Sequence, residues 1–173
     1  TITNNISSTT YDAGILNYNA AARVIISSGT ITTYGVAVNN NAGTGNTNAT
    51  APITISGGTI TSSNQNGIYN QQAATVYITG GTISGTNGVY NRDSIAGIYH
   101  VTGGSITGTI GQGIRAQVGT VSVSGTPTIS GVTYGVSVTS GTATITGGTN
   151  YREYVIKNVE AGEHNITRGS GET

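Results

Sequence analysis

The chain has 173 residues, of which 7% are charged, with zero net charge and no Cys, Met, Trp or Phe. So sparse a charge excludes the clustered Lys and Arg that displace counterions from nucleic acid or an anionic membrane surface, and no apolar run reaches the roughly 18 residues of a membrane-spanning helix. Hydrophobic content is only 35%, yet the Val and Ile are regularly placed, which disordered chains rarely show.

In chain order, Thr1-Ile2-Thr3 reads as a short alternating strand. A run after Gly14-Ile15 follows, then one centred on Val24 and Ile26, then Thr30-Ile31-Thr32. The same three-part order continues as Gly35-Val36, Ile53 with Ile55, and Thr59-Ile60-Thr61. It returns as Gly67-Ile68, Val76 with Ile78, and Thr82-Ile83-Ser84, and as Gly88-Val89, Tyr99 with Val101, and Ser105-Ile106-Thr107. Gly113-Ile114, Val121 with Val123, Thr128-Ile129-Ser130, Gly135-Val136 and Ala143 with Ile145 complete the series. Period-2 alternation in short β-branched runs predicts strands, and the glycines between them supply positive φ at tight corners. Self-similarity at a period of about 20 to 50 residues signals a solenoid. The expected fold is all-β, a parallel β-helix (β-solenoid) with three short strands per coil of about 22 residues and about six to seven coils.

Two insertions break the period. Residues Asn39 to Ala51 form a polar loop between the second and third coils, and Arg92 to Ala96 a shorter one. Asn17, Asn70 and Asn91 recur at one position in three coils and predict a partial Asn ladder at a corner. Residues 1–150 form the solenoid repeats. Residues 151–173 form a charged terminal coil or end segment, with eight of the fourteen Lys, Arg, Asp, Glu and His residues. There, Ile166-Thr167-Arg168-Gly169-Ser170 aligns with the Ile145 motif. The chain therefore begins on a third strand and stops about where the next third strand would begin. Thr1, Ile2 and Thr3 at one end, and Ile166, Thr167 and Gly169 at the other, are the expected assembly ends, because open strand edges recruit another chain.

The outward positions beside the third-strand isoleucines make two Thr/Ser rows, containing Thr30, Thr59, Thr82 and Thr128 in one and Thr32, Thr61 and Thr107 in the other. The first face carries Leu16, Ala37, Tyr69, Tyr90, Arg115 and Ser137, and the second is mixed. Tyr69 and Tyr90 are expected one coil apart, packed on each other or available to a glycan.

The string Ile53-Thr54-Ile55-Ser56-Gly57-Gly58-Thr59-Ile60-Thr61, with Asn66-Gly67-Ile68-Tyr69-Asn70 and Asn87-Gly88-Val89-Tyr90-Asn91, resembles the right-handed β-helix repeats of bacterial cell-surface and adhesin-like proteins. The resemblance covers most of residues 14–150. It implies right-handedness, a secreted, extracellular or cell-surface location, and a stalk, adhesin or fibre component. Many β-helix relatives are polysaccharide lyases and hydrolases, whose acidic and basic active-site cluster has no counterpart in this sequence. The Thr rows separately resemble the ice-binding face of β-solenoid antifreeze proteins.

Polysaccharide cleavage needs paired carboxylates, or a base beside a cation. The repeats offer only Asp12 and Asp93 as acids, with Arg92, His100 and Arg115 near Asp93, and these read as solvated surface groups. Glu160, Glu163 and His164 read as a solvated charged cluster, not a metal site. The expectation is therefore a non-enzymatic structural protein with no catalytic residues, no metal and no cofactor. It would assemble head to tail with itself, with glycans or a host surface as further partners, and without nucleic acid or membrane insertion. The alternative is ice binding by the Thr rows. Asn5, Asn48 and Asn165 begin N-glycosylation sequons, and Lys157, the only lysine, could form an amide cross-link.

Overall fold

A computed structural model describes residues 1–4, 13–19, 21–41, 52–92, 94–150 and 164–166. All of its regular elements are strands: β1 (Ile2–Asn4), β2 (Ala13–Asn17), β3 (Val24–Ile26), β4 (Thr30–Thr33), β5 (Val36–Asn40), β6 (Ile53–Ile55), β7 (Thr59–Ser62), β8 (Ile68–Asn70) and β9 (Thr75–Ile78). They continue as β10 (Thr82–Gly85), β11 (Val89–Asn91), β12 (Gly97–Val101), β13 (Ser105–Gly108), β14 (Ile114–Val123), β15 (Thr128–Gly131), β16 (Val136–Ile145), β17 (Thr149–Asn150) and β18 (His164–Ile166). Every pairing between them is parallel. The chain is a β-solenoid of about five turns. Counting motif copies in the sequence gives six to seven, and the third-strand sheet holds seven strands among the described residues.

The third strands form one seven-stranded sheet, in the order β1-β4-β7-β10-β13-β15-β17. The first and second strands form two further faces, which β14 and β16 join into a second sheet. The isoleucines set the register. Ile2 lies opposite Ile31, and Ile31, Ile60, Ile83, Ile106 and Ile129 then stack coil upon coil. The inward row of the second strands stacks likewise, from Ile26 through Ile55, Ile78, Val101 and Val123 to Ile145. From Val38 and Ile53 onward nearly all of these aliphatics are fully buried. Each contributes about 1.5–3 kcal/mol by leaving water, so a chain low in hydrophobics still forms one continuous core.

The Gly-Gly pairs turn the chain into the third strand. Gly81 has φ of 85°, a left-handed conformation in which a Cβ is strained. Its neighbour Gly80 has a different reason to lack a side chain: a Cβ there would stand 2.4 Å from the Ser56 carbonyl oxygen of the previous coil.

Two expectations about register need correction. Gly35-Val36 is not the equivalent of the other Gly-aliphatic pairs, because Val38 lies opposite both Ile15 and Ile68. Ala37 is thus buried, in the corner position glycine holds elsewhere, and Asn39 takes the outward place on the first face. The polar insertion consequently starts later than Asn39, since Asn39 and Asn40 belong to β5. The loop residues 42–51 lie outside the described residues.

The corner between first and second strands changes along the rod. In the earlier coils a connecting segment separates the two strands. In β14 and β16 one ten-residue strand runs through both faces and bends at Gly119 and Gly141, whose φ values are 124° and 136°.

Candidate functional site

Four chemical features line the rod. The first is the Thr/Ser double row on the third-strand sheet. Thr30, Thr59, Thr82, Ser105 and Thr128 stand in register, as do Thr32, Thr61, Ser84, Thr107 and Ser130. Thr30, Thr32, Thr59 and Thr82 are exposed, while Thr61, Thr107 and Thr128 are half-buried. Hydroxyls bond between coils at 3.4 Å, Ser84 Oγ to Thr61 Oγ1 and Ser130 Oγ to Thr107 Oγ1. A shallow depression bordered by Thr107, Thr109, Ser130 and Val132 adjoins this face and carries no charged group.

The second is a buried amide column. Asn17 Nδ2 donates to Asn40 Oδ1 at 2.8 Å, Asn40 Nδ2 to Asn70 Oδ1 at 3.0 Å, and Asn70 Nδ2 to Asn91 Oδ1 at 3.5 Å. The predicted ladder is therefore real and one residue longer, since Asn40 belongs to it. Its amides also hold corner carbonyls: Asn17 bonds Ala22, Asn70 bonds Gln72, and Asn91 bonds Val118 and Ile95. Tyr99 points inward and donates to Asn91 Oδ1 at 2.8 Å, and Asn70 Nδ2 lies 3.2 Å from its hydroxyl oxygen. Burial pushes this hydroxyl well above the ordinary tyrosine value, against the opposing effect of the Asn70 hydrogen bond. A shorter amide link, Asn87 to Asn66 at 2.8 Å, lies at another corner. The column ends where Ala116 and Val138 replace Asn in the same register, which is where β14 and β16 run unbroken through the corner. Beside it, the Gln72 side chain is fully buried, and neither of its amide atoms has a hydrogen-bond partner among the described residues.

The third and fourth features are stacked aromatic pairs. Tyr69 and Tyr90 lie parallel on the first face, with ring centres 5.1 Å apart and planes at 5°, and the Arg115 guanidinium lies 4.9 Å over the Tyr90 ring. On the second face Tyr77 and His100 stack at 5.3 Å. Tyr69 and Tyr90 thus cover each other's ring faces, so the stack is first of all a packing element. His100 and Arg115 lie on different faces, separated by the corner, and Asp93 lies outside the described residues.

At the expected assembly ends, Ile2 and Thr3 lie in β1, paired with Ile31 and Thr32. Ile166 lies in β18 opposite Ile145. Thr1 precedes β1 and is exposed. Thr167, Gly169, Lys157, Glu160 and Glu163 lie outside the described residues, as do Asp12, Asn5 and Asn48. Among the described residues no group of three His, Cys, Asp or Glu side chains comes together, and no helix is long and apolar enough to cross a membrane.

These faces define the class of the protein as a parallel β-solenoid with flat, periodically decorated sides. No protein-family model, curated protein or solved structure matches this chain.

Proposed function

We propose that this chain is a non-enzymatic structural protein of the cell exterior, a right-handed β-solenoid rod that serves as the subunit of a head-to-tail surface filament. The observation that carries the reading is the register of the outermost described strands. β1 stays in frame with β4, and β18 stays in frame with β16. Strand edges kept in frame present ordered rows of N–H and C=O groups, and such edges pair with a further coil. A second copy would supply that coil by a heterologous contact that does not close, giving a filament. More of the same chain would supply it in an adhesin stalk. Right-handedness and the exterior location both follow the resemblance of the repeats to surface proteins.

Negative-stain electron microscopy of the purified chain separates the two arrangements. Thin unbranched fibres are expected, and Thr3→Pro, which removes a backbone donor from the β1 edge, should shorten or abolish them. Monodisperse particles at every concentration would overturn the filament and leave the stalk.

The in-register Thr/Ser rows favour one second reading, ice binding. Their spacing is about 4.8 Å between coils and about 6.6 Å along a strand, a flat lattice of hydroxyls and methyls. On this reading Thr82→Tyr abolishes thermal hysteresis and leaves fibre formation unchanged. A wild-type chain without hysteresis excludes it.

A further inference from the structure

The first face carries a basic, amide-rich patch that the rod itself does not require. Arg92 is exposed just after Asn91, and Arg115 is half-buried over the Tyr90 ring. Tyr69 and Tyr90 stand in register with Arg115, and Gln71 and Gln117 each follow a residue, Asn70 and Ala116, that is in register with the Asn91 preceding Arg92. The two arginine backbone positions are one coil and two residues apart, about 8 Å on the diagonal.

Among the described residues the side chains with a fixed charge are Arg23, Arg92 and Arg115. Asp93, which follows Arg92 in sequence, lies outside the described residues. The Tyr69–Tyr90 stack gives Arg115 a rigid platform. A guanidinium resting on a ring keeps its in-plane N–H donors for other partners, in a fork that matches a carboxylate. The Gln117 amide alongside suits sugar hydroxyls, while Gln71 Nε2 already donates to Asn39 Oδ1 at 2.9 Å.

From this we propose that the first face binds a linear anionic polysaccharide bearing carboxylates, with Arg92 and Arg115 taking successive acid groups along the rod. A polymer fits better than a small anion, because the donors lie along a flat, open face and do not converge in a pocket. Two cations are too few for nucleic acid, whose affinity grows with the number of phosphates neutralised. The site does not depend on filament formation, so either proposal can fail alone.

The test titrates the full chain with polygalacturonate and with its fully methyl-esterified form, at low and high salt, by calorimetry. Fibre formation is scored separately by microscopy. The acid polymer is expected to bind and the ester not to, with binding lost at high salt. Arg92→Gln and Arg115→Gln should each weaken binding at least about threefold, and the pair at least about tenfold. Tyr90→Phe should bind as the wild type does, whereas Tyr90→Ala should match Arg115→Gln, because only the latter two disturb the guanidinium. Gln117→Glu keeps both arginines and must weaken binding. Asp93→Asn should bind at least as tightly as the wild type. No binding of the acid polymer at low salt, equal binding of acid and ester, or wild-type affinity in the double arginine variant would each overturn the proposal.

Discussion

Asn70 occupies the middle of the amide column and is the residue whose loss should be felt most. Truncating it removes the acceptor for Asn40 Nδ2 and the donor to the Gln72 carbonyl. Each buried group left unpaired costs about 1–3 kcal/mol. Asn70→Ala should therefore lower stability by about 3 kcal/mol in denaturant unfolding, and Asn17→Ala, at the end of the column, by about half as much. Equal losses would mean that the column acts as four independent corners. Tyr99 supplies a pH signature. Its hydroxyl stays protonated in the folded state well above the usual tyrosine value, while the unfolded chain releases that proton near pH 10. Above that pH the unfolded state binds fewer protons, so stability falls as pH rises. The wild type should lose stability above about pH 10 faster than Tyr99→Phe does, and parallel curves would contradict the burial of this group. Asn17, Asn70 and Asn91 were legible in the sequence as one column. Asn40 was missed, because the Gly35-Val36 pair imitates the corner that Ala37-Val38 forms. The signal was present: Gly14, Ala37, Gly67 and Gly88 each stand three residues before a column Asn.

At the scale of the element, the corners decide how tightly coils stack, and glycines serve them for two separable reasons. Gly29 has φ of 91° but open space where a Cβ would stand, whereas Gly80 has no positive φ but lies against a carbonyl of the coil before it. Gly29→Ala should cost about 1 kcal/mol, the backbone term alone. Gly80→Ala forces neighbouring coils apart and should cost at least about 2 kcal/mol. Thermal unfolding of the two variants checks the order, and a larger loss at Gly29 would contradict the stacking geometry. The third strands were read correctly from sequence because Thr-Ile-Thr alternation and a nearly constant spacing coincide there. The fusion of first and second strands in β14 and β16 was not legible. The sequence cue is the absence of an Asn and a connecting segment before Gly119 and Gly141, and a missing feature does not announce an unbroken strand.

At the scale of the whole molecule, the rod combines a continuous aliphatic core with faces that differ in chemistry: Thr and Ser hydroxyls on one, stacked Tyr with Arg on another, Tyr with His on the third. Such a body needs few charges, because each coil is held by backbone pairing and core contact with its neighbours, which salt does not screen. Periodicity in the sequence was enough to predict that body. What it could not predict was which side chains meet across coils, since a register slip of two residues, as at Ala37, keeps the inward and outward sides but gives each residue a different neighbour. The central claim is that successive copies continue the same parallel stack. X-ray diffraction from aligned samples of the assembled protein tests it most directly. A strong reflection near 4.8 Å along the fibre axis, with a longer subunit repeat that is a whole number of coil spacings, is the expected result. Fibres without an axial 4.8 Å reflection, or a chain that gives no fibres at any concentration, would contradict it.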